Sequence, residues 1–429
     1  MELKQDIFIL SWDNSTFVYS PLHHALFFAD EESISVVKRY IEGCTREDDK
    51  NTQVWGHIKR LESIDVVPPV GKNIWKGNNI VIIPTQLCNF GCTYCYAQNA
   101  HLHKSKISED TLKIALDYVL RSSKHQKNIS FIGGGEPLAS WNIIRNAIDY
   151  LERNKKSGDK LNIGITTNAS LFTDEILMYL KEHRVHIGVS FEILPDIQDS
   201  QRPFLSGEGS FEVVDKNILK LIQYEIPYGI RSTITKLNVN RMSEMVEFVA
   251  ERYHNIRKLH LEQVTDSSED DQAFYSAYVD NFYKAKQVGK QYNINVYNSI
   301  SKSIYQIRDC FCEGEFCVTP TGNIVACHRV SAEHEKSFPL FNYGNINGSI
   351  EFDGEAEKAY LAFSRQKREE CEKCFARWNC GGICSMERAE LSEEQLSAKC
   401  DFIKRIVTHE LYDSLVNKLE LKNIETNKS

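Results

Sequence analysis

Cys88-Asn-Phe-Gly-Cys92-Thr-Tyr-Cys95, following the apolar run Asn79-Ile-Val-Ile-Ile-Pro84, is the stretch whose reading decides the fold. It puts three thiols within eight residues at the end of a predicted strand. Thiolate is the soft ligand that iron-sulfur clusters prefer, and gaps of three and two residues suit a loop wrapped around one cuboidal cluster. Three ligands for four irons leave one iron open, so the loop describes a reactive centre. Zinc would need four ligands, and His101 and His103 stand near enough in sequence to complete such a site.

Outward from this loop, the 429 residues have an ordinary globular composition, 42% apolar and 26% charged. A net charge of −8 argues against nucleic acid as a partner. No apolar run approaches the roughly 20 residues needed to cross a bilayer, and the acidic start is not a secretory signal. No membrane association and a cytoplasmic location are expected. The 13 cysteines are odd in number and a poor disulfide framework for a reducing compartment. None lies between Cys95 and Cys310, and nine crowd the last third: Cys310, Cys312, Cys317, Cys327, Cys371, Cys374, Cys380, Cys384 and Cys400. Two separate metal-binding regions are implied. Cys44, without a partner in sequence, reads as a buried thiol.

Three regions follow. Residues 1–75 read as a small α/β module: strands at Asp6 to Trp12, Thr16 to Tyr19 and His24 to Ala29, then a helix at Glu31 to Tyr40. In residues 76–292 short β-rich runs alternate with amphipathic helices. Strands are expected at Ile80 to Pro84, Ile129 to Ile132, Leu161 to Thr166, His186 to Phe191, Tyr228 to Thr235 and Lys258 to Gln263. Six alternations imply an α/β unit of parallel strands with right-handed crossovers, fewer than the eight of a closed barrel. Residues 293–429, opening on a linker at Asn293 to Ser303, form the cysteine-rich third.

In such folds ligands bind at the C-terminal strand ends, where the unusual residues are found. The second strand ends in Gly133-Gly134-Gly135-Glu136-Pro137, glycines for close approach of backbone to a ligand and a carboxylate acceptor. The third ends in Thr166-Thr167-Asn168 before Ala169, and the fourth in Ser190-Phe191-Glu192. Asp199-Ser-Gln-Arg202 and Gly207-Glu-Gly-Ser210-Phe211 follow, and Arg231 lies on the fifth strand as a guanidinium fork for a carboxylate.

Together these motifs resemble those of the radical S-adenosylmethionine (SAM) superfamily, and the six units agree with the open, partial (β/α)6 TIM-like barrel of that family. The resemblance implies that SAM chelates the open iron through its amino and carboxylate groups and is reductively cleaved to a 5'-deoxyadenosyl radical. Tyr94 would be the aromatic residue before the last ligand. Gly134, Gly135 and Glu136 would hold the SAM amino group, Arg231 its carboxylate and Glu192 its ribose, with Asn168, Ser190 and Arg202 completing the cofactor site. Ala169 departs from the expected Gly, and Glu192 from the commoner Asp.

Cys371-x2-Cys374-x5-Cys380-x3-Cys384, then Cys400, preceded by Cys312-x9-Gly322-x4-Cys327, resembles the SPASM domain, which binds two auxiliary 4Fe-4S clusters. The nearer would be held by Cys312 or Cys310 with Cys317, Cys327 and Cys384, the farther by Cys371, Cys374, Cys380 and Cys400; the choice between Cys310 and Cys312 is open. The N-terminal module resembles the peptide-recognition domain beside many enzymes that modify ribosomally made peptides, with a simple cover for the bottom of the barrel as the alternative. The expectation is therefore a radical SAM/SPASM enzyme with three 4Fe-4S clusters and SAM, supplied with electrons by a reductase such as flavodoxin or ferredoxin. It would oxidatively modify or crosslink a side chain of a precursor peptide. Anaerobic sulfatase maturases, which oxidise Cys or Ser to formylglycine, are the second reading, although they carry an Asp base after the third auxiliary Cys where this chain has His328. His328 could itself act as the base. A zinc-binding scaffold without activity is the third.

Overall fold

The computed structural model describes residues 1–71, 73–74, 77–97, 104–265 and 271–426, the last seven without their side chains. His101 and His103 lie outside the described residues. Fourteen strands form two sheets among them. The first is an antiparallel meander of β1 (Phe8–Trp12), β2 (Ser15–Ser20) and β3 (Ala25–Phe28). The second runs in the order β10-β9-β8-β7-β6-β5-β4-β11-β12-β13-β14. Its parallel part is β4 (Asn79–Ile82), β5 (Gln126–Phe131), β6 (Lys160–Thr167), β7 (His186–Ser190), β8 (Tyr228–Ile234), β9 (Lys258–Gln263) and β10 (Asn295–Tyr297). The cysteine-rich third adds β11 (Cys317–Val318), parallel to β4, and then antiparallel β12 (Asn323–Val325), β13 (Asn342–Ile346) and β14 (Ile350–Phe352).

The six expected strand-helix units are present at β4 to β9. Alternation explains why: in β5 and β6, buried Ile129 and Phe131, then Ile163 and Ile165, recur at every second residue, while crossover helices such as Glu109–Arg121 bury Leu112, Ala115, Leu116 and Val119 at helical spacing. Ser108 caps that helix by accepting the Thr111 N–H at 3.1 Å. The linker read at 293–303 is instead β10 and a one-turn helix, Ser299–Lys302. A three-residue strand is too short to show a period, and its approach depends on Gly289, where a Cβ would stand 2.6 Å from the Ile294 carbonyl oxygen. The barrel sheet therefore runs past residue 292 and continues without a break into the cysteine-rich lobe.

The N-terminal meander is packed on both faces. One face, with Ile9, Val18 and Phe27, packs on its own helices Glu31–Glu42 and Gln53–Glu62. The other meets the cysteine-rich lobe and the 34-residue helix Glu393–Thr426: Phe8 against Phe375, Trp12 against His409, Phe28 against Tyr412. Buried Tyr19 donates its hydroxyl hydrogen to Asn379 Oδ1 at 3.1 Å. Cys44 is exposed rather than buried, because Gly43 ends its helix in the left-handed conformation (φ 74°) and turns the chain outward.

Candidate active site

The C-terminal ends of β4 to β9 converge on a cleft of about 240 Å³ with Cys88, Cys92 and Cys95 in its wall. The loop carrying them is clamped from two sides. On one, buried Phe90 meets Phe204 edge-on at 5.0 Å, while the Gly91 and Thr93 N–H groups donate to the carbonyls of Pro203 and Gln201 at 2.8 and 2.9 Å. On the other, the Gly135 and Glu136 N–H groups donate to the Thr85 and Leu87 carbonyls, both at 2.8 Å. A Cβ on Gly135 would lie 2.0 Å from the Leu87 oxygen, and one on Gly134 2.5 Å from Ile83 Cγ2. These glycines thus let backbone lie on backbone, a tighter demand than the approach to a ligand expected from sequence.

Glu136 is buried in the cleft wall; Oε1 accepts from Leu138 N (3.0 Å) and Thr167 Oγ1 (2.6 Å), and Oε2 from Asn168 N (2.7 Å). Burial raises its pKa against the pull of these hydrogen bonds. Asn168 spans the site, donating to Asn89 Oδ1 at 3.0 Å and accepting from the Ser170 N–H at 2.9 Å. Ala169 adopts φ +60°, the left-handed conformation that explains why Gly is expected there, at a strain of about 1–2 kcal/mol. Ser190, Arg202 and Arg231 also face the cleft.

Glu192 does not face it. Fully buried behind the wall, it accepts hydrogen bonds from Tyr94 Oη, Ser232 Oγ (2.6 Å) and Thr233 N (2.8 Å) and pairs with Arg202 at 3.7 Å. Arg202 Nη1 donates to Tyr94 Oη at 2.8 Å and stacks over Phe90. The longer side chain that departs from Asp thus anchors Tyr94 and Arg202 from behind. Asp199 and Ser210, singled out as motif residues, brace the same wall: Asp199 Oδ1 accepts from Phe211 N (2.7 Å), and Ser210 Oγ donates to the Arg202 carbonyl (2.7 Å).

Burial pushes the Cys88 thiol up to about 12 and Cys95 up to about 11, so in the metal-free protein both are protonated and ligation must expel protons. Three thiols beside a carboxylate, an amide and guanidinium groups, in a cleft with glycine backbone at its floor, fit a cluster with one open iron and an amino-acid chelate.

In the cysteine-rich lobe Cys371, Cys374, Cys380 and Cys400 line one cavity of about 30 Å³ together with Lys367, Arg368 and Lys404. Arg368 Nη1 stands 3.8 Å from Cys400 Sγ. Four soft donors ringed by cations fit an anionic cluster. A second set gathers nearer the cleft. Burial pushes Cys312 up to about 12, with Glu315, Cys384 and Cys310 as electrostatic neighbours. Cys327 has Glu315 and Cys384 beside it, and Cys317, wholly buried on β11, has Glu315 and Cys327.

His328 lines the cleft, and its Nδ1 lies 3.0 Å from both Glu315 oxygens, which leaves Nε2 for another partner. Burial raises the Glu315 carboxyl, but the His328 charge and hydrogen bonds hold it below the ordinary carboxylate range. Glu315, Tyr96 and Arg329 escaped the sequence reading: Tyr96 and Arg329 line the cleft, and Arg329 lies 5.7 Å over the Tyr96 ring. Tyr96 and Arg329 each adjoin a motif residue, the one signal that pointed to them. Glu315 carries none.

The family model described as the Radical SAM superfamily matches residues 82–250. An uncharacterised protein of Methanocaldococcus jannaschii is 33% identical over 171 residues, 40% of this chain and 58% of that relative, so the chain spans little more than half of its length. The serine-type anaerobic sulfatase-maturating enzyme of Klebsiella aerogenes is 22% identical over 321 residues, 69% of this chain and 76% of that enzyme. Among solved structures, native anSMEcpe with bound AdoMet superposes with a TM-score of 0.68 at 17% identity, covering 79% of this chain and 98% of that one; it is also solved with a Cp18Cys peptide.

Proposed function

We propose that this chain, whose residues 82–250 match the Radical SAM superfamily model, oxidatively modifies or crosslinks a side chain of a ribosomally synthesised peptide. The chemistry that SAM and a 4Fe-4S cluster would supply when bound together is a radical able to take hydrogen from an unactivated carbon. The chain's own residues hold and shield. Cys88, Cys92 and Cys95 ligate the cluster; Glu136, Asn168 and Arg231 orient the amino-acid end of SAM; Tyr94 and Arg202, locked by Glu192, keep the cysteine loop rigid and water out. His328, at the cleft with Nδ1 engaged by Glu315, offers Nε2 to the substrate. Cys371, Cys374, Cys380 and Cys400 hold one auxiliary cluster and the set around Cys327 a second, giving three in all, and a flavodoxin- or ferredoxin-type reductase supplies electrons.

The observation that carries the peptide reading is the N-terminal meander. Both its faces are covered, and β1 and β3 each have one strand partner among the described residues, so an extended peptide has an edge to join. The likeness to sulfatase maturases favours a second reading, formylglycine formation on a protein, against which stands His328 in place of the expected Asp. The experiment is anaerobic reconstitution with SAM, a reductant and a short peptide encoded beside the gene. Deoxyadenosine together with a peptide lighter by two hydrogens supports the proposal. An aldehyde at Ser or Cys of a sulfatase peptide, with the neighbouring peptide untouched, refutes it in favour of the second reading.

A further inference from the structure

The nearer auxiliary centre has more potential thiol ligands than a simple pattern needs, and the structure separates them. Cys384 is an electrostatic neighbour of both Cys312 and Cys327, and Glu315 is a neighbour of both as well. Cys310, though beside Cys312, has its thiol engaged by backbone: it donates to the carbonyls of Cys312 (3.0 Å) and Ser364 (3.5 Å), with Lys367 and Arg388 around it. Cys317 is wholly buried within a strand paired on both sides, to β4 and to β12.

Glu315 is placed differently. Its carboxylate, Cys327 Sγ and a ring nitrogen of His328 all lie within 4.8 Å of one another, a grouping able to hold a metal ion. The position is fixed by backbone: Glu315 N–H donates to the Ala326 carbonyl at 2.8 Å, and its own carbonyl accepts from Tyr343 Oη at 2.8 Å. Just before it Gly314 adopts φ +100°, where a Cβ would stand 2.8 Å from the Tyr360 ring. The loop between Cys312 and Cys317 is therefore shaped to bring this carboxylate to the thiols.

We infer that Glu315 is the fourth ligand of the nearer auxiliary cluster, completing the thiol set of Cys312, Cys327 and Cys384 with an oxygen donor. The inference rests on the reading that this lobe holds auxiliary clusters. Carboxylate is a harder donor than thiolate and matches cluster iron less well, so this ligand exchanges more readily than a fourth Cys would. Glu315 also has a second partner to turn to, the backbone N–H (2.8 Å) and Nδ1 (3.0 Å) of His328, which lines the radical cleft. Release of the carboxylate would open an iron on the side facing the cleft, where a soft donor of the peptide, a thiolate above all, could take its place.

The test uses the full chain with Cys88, Cys92 and Cys95 changed to Ala, so that auxiliary clusters alone are read by iron content, Mössbauer and EPR spectra. Glu315→Ala and Glu315→Gln are expected to convert the nearer centre to a three-iron species or alter its signal, Glu315→Cys to restore a four-iron cluster, and Cys310→Ser and Cys317→Ser to leave the spectra as they were. Unchanged iron and spectra in Glu315→Ala would overturn the inference while sparing the auxiliary-cluster reading, as would loss of the centre in Cys310→Ser or Cys317→Ser. A triple variant that binds no iron at all would overturn both.

Discussion

Gly135→Ala is a substitution of one methyl group whose effect can be worked from distances. The new Cβ would meet the Leu87 carbonyl oxygen at 2.0 Å and the Gln86 carbonyl carbon at 2.6 Å. All of these are backbone atoms of the segment leading into Cys88, with no flexible side chain to yield. Relief requires the two segments to part by about 1 Å, which breaks the 2.8 Å hydrogen bonds Gly135 N–H to Thr85 and Glu136 N–H to Leu87. Overpacking of this kind costs about 1–3 kcal/mol, and each lost hydrogen bond about 1 kcal/mol net. The sum, about 3–5 kcal/mol, is a large share of the ~5–15 kcal/mol that holds a typical domain folded. Urea unfolding followed by far-ultraviolet circular dichroism should show the midpoint fall, and iron bound at Cys88, Cys92 and Cys95 should fall with it. Gly229→Ala, on β8 where a Cβ meets nothing within 4 Å, is the matched control and should shift little. A Gly135→Ala protein with the wild-type midpoint and full iron would refute the claim that backbone contact fixes the cysteine loop.

Two further predictions concern buried carboxylates. Glu192→Ala leaves the Arg202 guanidinium buried without its counter-charge and strips Tyr94 of its acceptor; a loss of about 3–5 kcal/mol is expected in denaturant unfolding, whereas a loss below about 1 kcal/mol would mean that solvent reaches Arg202. Burial raises the Glu262 carboxyl, but the His260 hydrogen bond and charge, Arg231 and the Ser299 hydroxyl outweigh it and bring the pKa down to about 2. Its stabilisation, on the order of 3 kcal/mol, is thus fully present above the ordinary carboxylate pKa and lost as pH falls from about 4.5 towards 2. The stability gap between wild type and Glu262→Gln should close over that window; a gap independent of pH would rule this out.

What the sequence revealed and what it withheld divide along physical lines. Strands β4 to β9 and their helices were legible because burial repeats at two and at 3.6 residues over lengths long enough to register. β10 was not, since three residues carry no period and its place depends on Gly289 meeting the Ile294 carbonyl, a close approach that no motif announces. The cysteine spacings foretold which thiols share the 30 Å³ cavity, because ligand gaps are local. They could not tell Cys310, Cys312 and Cys317 apart, since side-chain direction there depends on pairing with β4, more than 200 residues earlier in the chain. Glu192 was legible as a strand-end carboxylate, yet which side of the wall it occupies is set by Ser232 and Thr233 on the neighbouring strand. Glu315, one acid among many, acquires meaning through Ala326 and His328 across a hairpin.

The pairing of β11 with β4 has a consequence for anyone who would dissect this protein. Val81 and Ile83 donate their N–H groups to the carbonyls of Phe316 and Val318, so the edge of the barrel that bears the cysteine loop is sealed by the lobe that bears the other thiols. Cutting the chain near residue 293 would bare that edge, leaving a row of unpaired N–H and C=O groups that invites association with other chains. The two metal regions are accordingly not interchangeable cassettes: adjacent strands stand about 4.8 Å apart, a spacing with no hinge in it, and a partner lobe borrowed from a relative would have to reproduce the β11 register before its cysteines could matter.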